Sequence, residues 1–278
     1  MGGMQPASPP FRWDLVTSDQ LGSLLAGSRA PDLWFAEELT VAAGKVAARS
    51  GGGDLYFVGR SADSVFDLLG GAFDGTDHAR RLHRLAFSGR WAIEPRDARR
   101  VLEAAGITPY TLARTHRTVT LVDLVHDGGT FGNLFGTLRD WVADEREPWP
   151  VIRRKLRFVG LTSRQETSPK AWRWQQAADW PAELPSSNVL NVSISARLWD
   201  YLGNMQTKLT RSFGPAQWSA DEADGPEHDE RTRDALAEAV ALVALGKGRQ
   251  ARSLLARTMA TEPAYAESWL RTLVRQLS

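Results

Sequence analysis

The stretch TVTLVDLVHDGGTFGNLFGTL, Thr118–Leu138, joins an apolar run to an acidic residue, two glycines and a threonine. Apolar residues at successive positions in TVTLVDLV predict a strand buried on both faces, the mark of a parallel sheet. Asp127, Gly128 and Gly129 then supply turn chemistry, and FGNLFGTLRDWVADE (131–145) resumes helical spacing. Strand, glycine turn and helix in that order form half of a βαβ unit, so the flanking sequence should repeat the alternation.

It does. WFAEELTVAAGKVAARS (34–50) spaces Phe35, Leu39, Ala42, Ala43 and Val46 as on one helix face, and three glycines end it. DLYFVG (54–59) reads as a strand, and RSADSVFDLLGGAF (60–73) as a helix through Val65, Leu68, Leu69 and Phe73. LHRLAFSG (82–89) predicts a strand, EPRDARRVLEAAG (94–106) a helix with Pro95 in its first turn, and KLRFVGL (155–161) a fourth strand. This alternation predicts an α/β fold with a mainly parallel central sheet flanked by helices.

After residue 165 the character changes. SPKAWRWQQAADWPAELPSS (168–187) reads as a Trp- and Pro-rich packed connection, and SARLWDYLGNMQTKL (195–209) as helical. SADEADGPEHDE (219–230) reads as an acidic linker. Three C-terminal helices follow, around 233–246, 248–259 and 264–277. They are read as a helical cap on the core, because a solenoid needs about three repeating units. The organisation expected is therefore an N-terminal arm (1–13), an α/β domain (14–165), and a Trp-rich connection with an α-helical C-terminal extension (166–278).

Composition narrows the chemistry. With 278 residues, 42% hydrophobic and 24% charged, the chain has the balance of a globular protein. A formal net charge of +1 gives no global field for nucleic acid or an anionic membrane. The arginines of HARRLHRLAFSGR and RDARR are read as a solvated face. Absence of cysteine removes disulfides, thiolate catalysis and cysteine metal sites, and suits a cytoplasmic protein. The scattered histidines include no i, i+4 pair, which argues against zinc. No apolar run approaches the roughly 18 residues of a membrane span. The start, MGGMQPASPP, lacks the form of a secretory signal.

The opening stretch fails several phosphate-loop patterns. No lysine follows its last glycine, as a P-loop requires, and glycines 128, 129, 132 and 136 do not fit G-x-G-x-x-G. Val125 stands where a haloacid dehalogenase-type phosphatase would carry its nucleophilic aspartate.

Val122-Asp123-Leu124-Val125-His126-Asp127-Gly128-Gly129-Thr130 resembles the phosphoribosyl pyrophosphate (PRPP) loop of the type I phosphoribosyltransferases. There an apolar strand leads to two adjacent acids, a few variable positions and TGGT. LYFVGRSADSVFDLLGGAF (55–73) is similar to that family's first strand, pyrophosphate loop and helix. The resemblance covers about residues 54–163. It implies a phosphoribosyltransferase-like fold and binding of PRPP, or another ribose 5-phosphate compound, with Mg²⁺. It implies chemistry at ribose C1 through an oxocarbenium-like transition state, with pyrophosphate leaving.

By the same resemblance Asp123 and His126 are the expected catalytic residues, Asp123 orienting ribose and approaching Mg²⁺, His126 contacting the acceptor. Asp127, Gly128, Gly129 and Thr130 are expected at the phosphate and ribose, and Arg60, Ser61 and Ala62 at pyrophosphate. The acceptor base is unspecified, and since dimers are common in the family, a homodimer is among the expectations. Two positions depart from the pattern: Val122 replaces the first acid, and Asp127 replaces a Thr or Ser. Two alternatives stand beside the enzyme reading. The fold could serve a non-catalytic regulator or interaction module, and Gly128–Gly129 could be only a tight turn with Asp127 or Thr130 as its cap.

Overall fold

The strand of the opening stretch, β3 (Val119–Leu124), is the middle of a five-stranded sheet. A computed structural model describes residues 17–88, 94–166, 172–208 and 229–278. The expected arm (1–13) and nearly all of the acidic segment 219–230 lie outside them. With β1 (Asp54–Val58), β2 (Leu82–Leu85), β4 (Leu156–Ser163) and β5 (Val189–Ile194), the order is β2-β1-β3-β4-β5, every neighbouring pair parallel. The α/β fold with a parallel sheet flanked by helices is as the sequence predicts.

Successive side chains of β3 enter two different cores. Val122 lies with Phe57 and Val159 on the face covered by α2 (Ala36–Arg49) and α3 (Asp63–Phe73). Leu121 and Val119 lie on the opposite face, with α4 (Pro95–Ala104), α5 (Pro109–Arg114), α6 (Gly129–Asp144) and α7 (Trp149–Ile152). A short helix, α1 (Ser18–Leu21), precedes these elements. Burial on both sides explains the unbroken apolar run.

The three glycines before β1 each have a steric reason. Gly51 and Gly52 adopt φ of +67° and +73°, conformations that side chains disfavour. A Cβ on Gly53 would overlap the Thr118 carbonyl oxygen, to which the Asp54 amide donates at 2.9 Å. Thr118 and Thr120 donate their hydroxyls to the Ser50 carbonyl at 2.7 and 3.0 Å, fastening β3 to the end of α2.

The boundary expected at 165/166 cuts through the sheet. Residues 166–278 supply β5, which pairs with β4 from Phe158↔Val189 to Ser163↔Ile194. They also supply α8 (Ala196–Asp200), one π-helical turn (Tyr201–Met205), and helices α9 (Glu230–Lys247), α10 (Arg249–Ala260) and α11 (Ser268–Leu277). Leu242, Leu255, Met259 and Leu270 join the same core as Leu39 and Leu69, so the helical cap is continuous with the α/β core. α9 crosses α3 at Gly71 and Gly246, where a Cβ would overlap the carbonyl oxygens of Val243 and Leu68 respectively. These glycines weaken their own helices, and the close crossing they permit offsets that cost.

Candidate functional site at the β1–β3 switch point

Open parallel sheets bind ligands beyond the carboxyl ends of their strands, where the strand order reverses. In the order 2-1-3-4-5 that point lies between β1 and β3. The loops flanking it are Gly59–Ala62, leading into α3, and Val125–Gly128, leading into α6. These are the two loops the sequence pairs.

Asp123 ends β3 with its carboxylate buried, accepting from the Leu124 amide at 2.7 Å and from the Thr130 side chain. Burial is the dominant influence and raises its pKa to about 7, while the two hydrogen bonds pull it back. An aspartate poised near neutrality at a switch point is a functional-site signature. Val122, by contrast, is fully buried between Phe57 and Val159 in the strand register, facing the other core. An acid there would sit unpaired among apolar side chains, which is the physical reason the position suits valine.

Asp123 also gives the site a pH signature. Its folded pKa exceeds the ordinary aspartate value of 3.8, so the folded chain holds a proton that the unfolded chain releases. Stability from this group is complete below about pH 4 and is lost as pH rises through about 7. Asparagine keeps the acceptor and cannot ionise. The stability of Asp123→Asn relative to wild type, read from thermal melts, should rise between pH 5 and pH 8 by on the order of 1 kcal/mol or more, and then level off. A pH-independent difference would refute the buried, titrating carboxylate.

The β3–α6 turn is partly satisfied from within. Gly128 has φ +86°, and the Gly129 amide donates to Asp127 Oδ1 at 2.9 Å. The carboxylate of Asp127 therefore occupies an amide that a phosphate loop would offer its ligand. Trp174, fully buried, packs over Gly128 and over Gly160, the register partner of Asp123, leaving no room for a Cβ at either. Its indole N–H donates to Asn191 Oδ1. His126 and Asp127 are exposed at the tip of the turn. The His126 ring lies near-parallel to Trp172, centroids 6.3 Å apart, and 6.0 Å from Trp199. Trp172 donates to the His126 carbonyl, and Trp199 to that of Val125 at 3.2 Å.

On the β1 side, Gly59 has φ +65° and donates its amide to the Leu85 carbonyl at 2.9 Å, so that amide is used within the sheet. Arg60 and Ser61 are half-buried at the turn, and Ala62, the N-cap of α3, offers it no side-chain cap. Below it, Asp67 bonds Arg84 of β2 at 3.0 Å and Asp63 lies 3.8 Å from the same guanidinium. Burial raises Asp67 to about 7 against the pull of Arg84. The i, i+4 spacing of Asp63 and Asp67 on the helix after the loop was a readable sign of this pairing.

A strap from the C-terminal half packs against the end of β3 and the first turn of α3. Gly203 lies against Leu124, and Gln206 donates to Ser64 at 2.6 Å and to Glu238. Neither contact has a local sequence signal. The Trp cluster of the connection divides in two: Trp174 and Trp180 pack with Phe131 and Phe158, while Trp172 is exposed beside His126.

No protein-family model matches the chain, and neither curated proteins nor solved structures give a similar one. Among the described residues no group of three or more His, Asp or Glu side chains could hold a metal ion. A single carboxylate that already accepts two hydrogen bonds does not fit a resident magnesium. No described helix is long and apolar enough to cross a membrane.

Proposed function

We propose that the protein binds a phosphorylated ribose, PRPP or a related ribose 5-phosphate compound, at the β1–β3 switch point. The observation that carries this reading is the placement of the two paired loops on either side of that point. Asp123 receives a ribose hydroxyl on its remaining acceptor positions. The N-terminal end of α3, with Arg60, Ser61 and Ala62, faces the diphosphate, and Gly128–Thr130 the 5′-phosphate. Any magnesium arrives on the diphosphate, whose oxygens supply its ligands. In the transferase form of the reading, exposed His126 and Trp172 stack the acceptor base.

A second reading, a phosphoribosyltransferase-fold regulator that does not catalyse, is favoured by the hydrogen bond from the Gly129 amide to Asp127. One experiment addresses both. Backbone amide shifts are recorded by NMR while PRPP with Mg²⁺ is added, and pyrophosphate release is assayed with a panel of bases. Shifts centred on Ser61–Ser64 and Gly128–Thr130 support the site; shifts confined elsewhere, or none, overturn it. Binding without pyrophosphate release for any base selects the regulator.

The Asp127 contact yields its own expectation. Asp127→Thr removes a charge facing the phosphate and leaves a hydroxyl able to cap the helix. PRPP affinity should rise about tenfold, the value of roughly 1.4 kcal/mol of relieved repulsion. An unchanged or weaker affinity in a well-folded variant would place the phosphate away from the α6 turn.

A further inference from the structure

Both ring nitrogens of His78 are shut off from water, and neither has a hydrogen-bond partner among the described residues. The residue lies between α3 and β2, just before one turn of 3-10 helix (Ala79–Arg81), and is only 9% exposed. Its imidazole packs between two aromatic rings. Phe73, at the end of α3, meets it edge-on with centroids 6.0 Å apart. Trp269, in the first turn of α11, lies 6.3 Å away and tilted by 33°. Trp269 also covers Gly52, where a Cβ would overlap the indole, so the cluster ties α11 to the amino end of β1.

A polar group buried without a partner destabilises a fold. Phenylalanine or leucine would fill the same space without that cost. What imidazole adds is a proton affinity that lies close to neutrality in water and falls when the ring is buried. Burial first, then the Arg81 guanidinium, lower the pKa of His78 to about 4 against the pull of Asp77. Charges on the other elements packed about this cluster are engaged elsewhere. Asp74, at the end of α3, pairs with Lys247 of α9 at 3.0 Å, and Glu267 accepts from the Trp269 indole at 2.7 Å. Arg157 of β4 donates to the Arg49 carbonyl at 3.1 Å, and Arg81 to that of Gly52. None of them bonds the ring.

The ordinary histidine value is 6.5, so between about pH 6.5 and 4 a chain that uncovers His78 holds a proton that the packed chain refuses. The packed state has its full advantage above about pH 6.5 and loses it as pH falls toward 4. We propose that His78 is an acid-sensitive latch on α11. Neutral, it seats Trp269 and the helix against the core; protonated, it leaves the space between Phe73 and Trp269 and releases them. Release uncovers the apolar face of α11 that carries Leu270, Leu273 and Leu277. The latch stands at the amino end of the sheet, away from the switch point, and does not depend on the phosphoribosyl reading.

The test is amide hydrogen exchange of the full chain at pH 7 and pH 5, corrected for the intrinsic effect of pH, in wild type and His78→Phe. Opening of Ser268–Leu277 should be favoured about tenfold or more at pH 5 in wild type, and by less than about twofold in the variant. The amides of β3 should change far less in both. Equal pH dependence in the two proteins, or a loss of protection in β3 that matches that in α11, overturns the proposal. His78→Leu takes the place of the phenylalanine variant should that one fail to fold. A proton NMR titration of the wild-type imidazoles gives an independent outcome. A His78 ring titrating well below 6 supports the latch, and one titrating near 6.5 overturns it.

Discussion

Valine at position 246 is expected to lower the stability of the protein by about 3 kcal/mol, near the upper end of over-packing costs. That corresponds to a fall in melting temperature of roughly 6–12 °C. The cause lies in the α9–α3 crossing, where a Cβ on Gly246 would overlap the Leu68 carbonyl oxygen and crowd the Ala72 amide. Neither obstacle is the end of a flexible side chain. The helices must separate, and separation would pull Leu242 away from the apolar core it shares with Leu69. Alanine makes the sign informative. On an open helix Gly→Ala stabilises by about 1 kcal/mol; here Gly246→Ala should destabilise. Calorimetric melting of both variants decides it, and an alanine variant melting at or above wild type would mean that the helices do not cross in contact.

The same crossing shows what a sequence can and cannot announce. Gly246 reads as a break between two C-terminal helices, whereas α9 runs through it to Lys247. Its role depends on a partner at Leu68, far away in the chain. Strands β1, β3 and β4 were legible because burial on both faces demands continuous apolar runs, and glycines bound several of them, whereas β2, LHRL, is an edge strand with only Leu85 buried. β5, VLNVSI, was missed for the opposite reason. As an edge strand it exposes Leu190, Asn191 and Ser193 in part, and it sits between a Pro- and Ser-rich stretch and a helix.

The site divides in the same manner. The positions of Asp123, Gly128 and the Gly59–Ala62 turn follow from where strands end, and a local pattern fixes that. The turn of Asp127 back onto the Gly129 amide could not be read from the residues alone, since a capping reading and a phosphate reading share the same glycines. The packing of Trp174 over Gly128 and Gly160, and the strap of Gly203 and Gln206, join residues dozens of positions apart. No periodicity or motif encodes such contacts. They arise because β5 returns the chain to the sheet beside β4, delivering α8 to the carboxyl ends of the strands.

Asp123→Ala carries the second large effect. In the phosphoribosyl reading this carboxylate is the only acid left to hold the ribose, because Val122 faces the opposite core. One hydrogen bond from a ribose hydroxyl to a buried charge, at up to about 3 kcal/mol, amounts to roughly a hundredfold in affinity. Removal also leaves the Leu124 amide and the Thr130 hydroxyl without their acceptor, so Asp123→Asn, which retains one, serves as the folded control.

The most direct measurement is a calorimetric titration of PRPP with Mg²⁺ into wild type, Asp123→Ala and Asp123→Asn at pH 7.5. The account predicts saturable binding to wild type, weakened about a hundredfold or lost in the alanine variant and reduced in the folded asparagine variant. Absence of binding to wild type, or equal affinity in all three, would contradict it.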